Sequence, residues 1–110
     1  MAESWWEREK WSVDLFQYVI LMRAFLQGRL TGEEFSLLFF ATLGTDDKFR
    51  PREISTILDA LSAEVDDFCA DDDLRSRVGG IDEQELRARV ATAQEELRSV
   101  AAEHPGRPAD

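Results

Sequence analysis

One histidine and one cysteine occur in the 110 residues of this chain. An ordinary zinc site draws on about three or four Cys and His ligands, so this sequence cannot furnish one. A Ser-His-Asp or Cys-His nucleophile would have to recruit His104, which is followed by Pro105 and Gly106 and cannot be rigidly oriented there. Cys69 has no second cysteine for an internal disulfide. Such usage fits a reducing compartment, and the cytoplasm is expected. Basic residues are also in short supply: 13 Lys and Arg stand against 23 Asp and Glu, a formal charge of -10. Nucleic acids and anionic membranes are themselves polyanions, so direct binding to either is not expected, and a basic partner is. Long apolar runs are missing too. The most apolar stretch, Val13 to Leu26, is broken by Asp14 and Arg23 and falls short of the roughly 20 residues of a membrane span. The opening MAESWWEREKW lacks the basic start and apolar core of a secretory signal. Neither a GxGxxG nor a P-loop pattern is present.

What remains is 44% hydrophobic and 33% charged, a balance suited to one soluble domain. Three prolines (51, 105 and 108) and six glycines divide the chain into four segments of helical periodicity, without strand alternation or internal repeat. The first, about Ser12 to Gln27, carries apolar residues around nearly its whole circumference and is expected to lie centrally. The second, about Gly32 to Leu43, opens with a capping box, Thr31 with Glu34, and a hydrophobic staple, Leu30 with Phe35. Phe35, Leu38, Phe39 and Thr42 share one of its faces. The third, about Pro51 to Cys69, places Pro51 at the first helical position and spaces Ile54, Leu58, Leu61, Val65 and Phe68 by 4, 3, 4 and 3. The fourth, about Glu83 to Ala102, repeats the box with Asp82 and Glu85 and the 4, 3, 4, 3 seam with Leu86, Val90, Ala93, Leu97 and Val100. These segments predict an all-α, single-domain, antiparallel four-helix bundle over residues 12–103. An aromatic arm precedes it at residues 1–11, and a tail follows at 104–110. Trp5, Trp6 and Trp11 of the arm either pack onto the bundle or anchor a partner.

The charge is concentrated. Between Glu53 and Glu85 eleven acids face only Arg75 and Arg77, a local charge of -9, which leaves -1 for all other residues. Asp82, Glu83 and Glu85 suit the start of the fourth helix. Asp66, Asp67, Asp71, Asp72 and Asp73 crowd the end of the third helix and the link from Ala70 to Ile81, where negative charge opposes the helix dipole. That excess reads as a surface for a basic partner. A calcium loop started at Asp71 would put Arg75 at its fifth position and Ser76 where glycine is required, so no metal site is expected, and no cofactor. Cys69 ends an apolar seam and reads as a structural, unreactive thiol.

Three segments carry a family resemblance: YVILMRAFLQGRLTGEEF (Tyr18 to Phe35), ISTILDALSAEVDDFCADDDL (Ile54 to Leu74) and IDEQELRARV (Ile81 to Val90). In order and spacing the stretch from Tyr18 to Leu97 resembles the colicin D immunity proteins. The resemblance implies a four-helix bundle that binds the C-terminal nuclease domain of a transfer-RNA-cleaving toxin. It also implies inhibition by acids that cover the basic active site in place of RNA phosphates. Carried onto this chain, the toxin-binding acids are Glu64, Asp67, Asp71, Asp72 and Asp73, with Asp59, Asp66, Asp82 and Glu83 as additional partner-binding candidates. No catalytic residue is implied, and a monomer is favoured. Two other readings stay open: an acidic helical module or nucleic-acid mimic for another basic protein, and an enzyme built on a carboxylate pair.

Overall fold

The computed structural model describes residues 15–46 and 50–103, the last three as backbone only. The described residues form five helices joined by short links, with no strand longer than one bridge. α1 is helical from residue 15 to residue 26 within the described part. α2 spans Gly32–Gly44, α3 Arg52–Asp66, α4 Asp72–Val78 and α5 Glu83–Glu103. Four of these answer to the four expected segments. α4 corrects the expected open link between Ala70 and Ile81, which holds a two-turn helix. The Trp arm, the Ser12 cap and the tail from His104 lie outside the described residues.

Local chemistry accounts for the helix ends. α1 closes in a Schellman turn: the Arg29 N–H donates to the Ala24 carbonyl at 2.8 Å and the Gly28 N–H to Phe25 at 3.0 Å. That turn needs a left-handed residue, and Gly28 has φ +83°. Both halves of the Thr31–Glu34 capping box form. α3 starts one residue later than expected, with Pro51 as its N-cap, and stops earlier, with Asp67 as its C-cap. Phe68 and Cys69 therefore leave the helix. At Asp82 half of the expected box forms: its carboxylate accepts from the Glu85 N–H at 2.8 Å, while Glu85 turns to Arg89.

The seams read from the spacing are buried except at their last members, Phe68 and Val100, which are half-buried. Ile54, Leu58, Leu61 and Val65 of α3 pack in one core with Leu86, Val90, Ala93 and Leu97 of α5. Each such aliphatic side chain larger than alanine contributes about 1.5–3 kcal/mol by leaving water. α1 adds Leu15, Tyr18, Met22 and Phe25, and α2 adds Phe35 and Phe39. Their rings form a column. Phe25 stacks on Phe35 at 4.8 Å and Phe35 on Phe39 at 5.7 Å, and Tyr18 meets Phe39 edge-on at 5.9 Å. A guanidinium covers each end: Arg87 lies 4.6 Å from the centre of Phe25 and Arg50 lies 5.5 Å from that of Tyr18.

The expected central position of the first helix holds for one face only. Phe16 and Ile20 are exposed on α1, as are Leu37, Leu38 and Phe40 on α2. Leu38 was expected on the buried face of α2. The ring column occupies that face with Phe35 and Phe39, four residues apart, and Leu38 falls to its side.

Candidate functional site

The acidic end is built where α3 gives way to α4. Two backbone bonds clamp the base of that excursion: the Ile81 N–H donates to the Asp67 carbonyl, and the Cys69 N–H to the Ile81 carbonyl, both at 3.0 Å. They make Phe68 and Ile81 a single parallel bridge. Gly80 permits the closure. Its φ is +108°, and a Cβ there would lie 2.6 Å from the Asp67 carbonyl oxygen. Inside the clamp the chain satisfies itself. Arg75 donates to the Cys69 carbonyl at 2.7 Å and pairs with Asp72, and the Cys69 thiol points to the Asp71 carbonyl at 3.5 Å. α4 buries none of its residues, so this clamp and its own caps hold it in place.

The new helix changes the meaning of three aspartates. Asp71 is the N-cap of α4, its carboxylate accepting from the Leu74 N–H at 3.1 Å, and Asp72 and Asp73 occupy the first turn. Negative charge is favourable there. These acids thus have a local structural reason to exist, contrary to the expectation that they oppose a helix end. Only Asp66 and Asp67 sit at the C-terminal end of α3, where the dipole disfavours them.

The remaining candidates fall into distinct settings. Glu64 is tied across the α3–α5 seam to Arg89 at 2.9 Å, and Arg89 also holds Glu85 at 3.0 Å. The two carboxylates raise the Arg89 pKa further above its ordinary range. Glu83 accepts from the Gly32 N–H at 2.8 Å and pairs with Arg87 at 2.8 Å. Those two bonds, the Gly32 N–H first, lower the Glu83 pKa. Arg87 in turn donates to the Phe25 carbonyl at 2.6 Å, so Glu83 belongs to the junction of α1, α2 and α5. Asp82 serves as helix cap. Asp59, Asp66, Asp67 and Asp73 are exposed and, among the described residues, have no cation within ion-pair distance.

Two recesses flank the Phe68–Ala70 exit. One, of about 300 Å³, lies between α4 and the start of α5 and gathers Asp72, Asp82 and Glu83 around Arg75. The other, of about 560 Å³, lies against α2 and gathers Glu33 and Asp66 around Leu37 and Phe40. Phe68 and Ala70 line both. The structure therefore brings Asp66, Asp72, Asp82 and Glu83 to the two sides of one wall. Asp59, two turns before Asp66 on α3, and Glu64, in the seam, line neither recess. Glu33, Leu37 and Phe40 escaped the sequence reading. Their signal was present in the run Leu37 to Phe40, which holds more large apolar residues than one buried helix face can take.

No group of three or more His, Cys, Asp or Glu residues converges as a metal site among the described residues. None of the described helices is long and apolar enough to cross a membrane. What fold and site define is a small helical protein with a carboxylate-rich end built around one clamped loop. The chain belongs to the bacterial self-protective colicin-like immunity family, whose sequence model matches residues 13–97. That membership makes toxin immunity its class of function and a cognate toxin its partner. No curated protein and no solved structure matches the chain significantly.

Proposed function

We propose that this chain is a colicin D-like immunity protein: it binds the nuclease domain of its cognate toxin, a transfer-RNA-cleaving ribonuclease, and blocks the active site by presenting carboxylates where RNA phosphates would lie. It acts as a monomer in the cytoplasm of the producing cell and catalyses nothing itself. A nuclease cleft must be basic to hold RNA, and charge-assisted hydrogen bonds from its Lys and Arg can engage carboxylates instead. The observation that carries this reading is the set of exposed acids with no cation partner among the described residues, Asp59, Asp66, Asp67 and Asp73, in a chain of an immunity family.

Of the five acids implied by resemblance, Asp67 and Asp73 are free to engage at once. Asp71 can do so while still capping α4, since a carboxylate has two oxygens. Glu64 and Asp72 would exchange Arg89 and Arg75 for a cation of the toxin. The exchange at Asp72 is cheap, because that carboxylate is exposed and such pairs are worth about 0–1 kcal/mol; at half-buried Glu64, Arg89 keeps Glu85 as its partner when the exchange is made.

The test is co-expression with the nuclease domain of the cognate toxin, scored for cell survival and for a co-purifying complex. Survival with a stable complex supports the proposal. Cell death with no complex, from a folded chain, overturns it. Cleavage of transfer RNA by the free domain, suppressed by the chain, identifies the substrate class.

A further inference from the structure

The recess between α2 and the α3 exit differs from its neighbour in one respect: no cation of the described residues lies in it. Arg75 fills part of the α4–α5 recess, whereas the α2 recess has Leu37, Phe40, Val65 and Phe68 as apolar lining and Glu33 and Asp66 as its acids. Leu37 is 74% exposed and Phe40 39%. Helix geometry places Leu37 and Phe40 three residues apart on one ridge of α2, with Glu33 one turn before Leu37. Neither Glu33 nor Asp66 forms an ion pair among the described residues.

Large apolar side chains beside unpaired carboxylates favour one kind of occupant. An apolar side chain takes the Leu37–Phe40 floor out of water, and a neighbouring Lys or Arg meets Glu33 and Asp66. A purely cationic segment would leave the floor wet, and a purely apolar one would bury two carboxylates without partners, which is costly. We infer that this groove receives a surface segment of the toxin domain in which an apolar or aromatic anchor is flanked by lysine or arginine. The inference rests on the immunity reading and adds to it a second contact, whose apolar part is largely independent of salt. Carboxylates meeting a basic cleft would steer association but discriminate poorly among basic proteins; a filled apolar groove supplies the discrimination.

The test measures binding of the full chain to the nuclease domain of the cognate toxin, at several salt concentrations. Leu37→Ser removes an exposed side chain and leaves the core intact. It should weaken binding about tenfold or more, with the slope of affinity against salt unchanged. Asp66→Asn should weaken binding and also flatten that slope. Phe16→Ser, on an exposed part of α1, should leave affinity alone. Equal affinity of Leu37→Ser and the parent chain overturns the groove while leaving the immunity reading intact. No binding by the parent chain overturns both. Two further results overturn the groove as a toxin site. One is a dimer of the free chain that Leu37→Ser dissociates, which makes a second copy the occupant. The other is a shift in tryptophan emission of the free chain on Leu37→Ser, which makes the chain's own Trp5, Trp6 and Trp11 segment the occupant.

Discussion

A Cβ placed on Gly32 would lie 2.5 Å from Cζ of Phe68. The first residue of α2 is thus the floor on which the Phe68 ring rests, and the same residue donates its N–H to Glu83. One glycine fixes how the start of α2, the exit of α3 and the start of α5 meet. Glycine is an inferior helix former, and its replacement by alanine ordinarily stabilises an exposed helix. Here Gly32→Ala should do the opposite, by about 1–2 kcal/mol, because the ring must swing away from a position set by the Phe68–Ile81 bridge. Urea denaturation measures the loss. Adding Phe68→Leu should recover part of it, and an additive double variant would disprove the contact.

Glu83 gives the acid side of the stability profile. Its pKa is lowered in the folded chain, first by the Gly32 N–H and then by Arg87. The unfolded chain, with an ordinary glutamate, takes up the proton first as pH falls. Stability from this group is therefore present above the ordinary glutamate range, about pH 4.3, and is lost as pH drops through the lowered value. In Glu83→Gln that segment of the curve should be flatter than in the parent chain, and the variant should be less stable at neutral pH. Thermal melts between pH 7 and pH 3 compare the two.

Tyr18 gives the alkaline side. The ring is buried, and its hydroxyl donates to Asp46 at 2.7 Å, with Arg50 bound to the same carboxylate. Burial first, then the hydrogen bond to Asp46, pushes the phenol pKa well above its ordinary value. The unfolded chain loses the phenolic proton near pH 10 while the folded chain keeps it. Stability from Tyr18 is thus complete below about pH 10 and declines as pH rises beyond it. Tyr18→Phe should cost about 1 kcal/mol at pH 7 through the lost hydrogen bond. It should also remove this part of the alkaline decline, which melts at pH 8 to pH 11 would register.

The burial pattern was legible where one periodicity governs a whole segment. The seams from Ile54 to Val65 and from Leu86 to Leu97 are buried as their spacing implies. Capping chemistry was legible in full at Thr31 and in its N-cap half at Asp82, because it depends on residues three apart. α4 was not. Asp71 to Val78 has no apolar periodicity to bury, and it is helical because its ends are capped and its flanks are clamped by the bonds of Asp67 and Cys69 to Ile81. Long-range bonds of this kind leave no mark on local spacing. Missing α4 also obscured the acids. Asp71, Asp72 and Asp73 read as misplaced charge at the end of one helix when they are well-placed charge at the start of the next. The acid-rich stretch from Glu53 to Glu85 could be located from composition alone, but its split into capped, paired and exposed carboxylates needed the partners Arg75, Arg87 and Arg89.

That split yields a prediction in which stability and binding move in opposite directions. Asp67 is the C-cap of α3 and is exposed. Its charge lies at the negative end of the helix dipole, a placement that costs about 0.3–1 kcal/mol when exposed. Neutralising it in Asp67→Asn should therefore raise the midpoint of thermal unfolding slightly. The same substitution should weaken toxin binding and reduce its dependence on salt, because one carboxylate that the proposed interface uses is gone. Asp71→Ala should behave differently. It removes the cap of α4, so this solitary helix loses order and binding falls, while global unfolding changes little because α4 buries no side chain. Calorimetric melts and binding titrations on the same two preparations separate the cases. If Asp67→Asn lowers stability and leaves affinity untouched, that aspartate belongs to the fold and has no place in the toxin-binding surface.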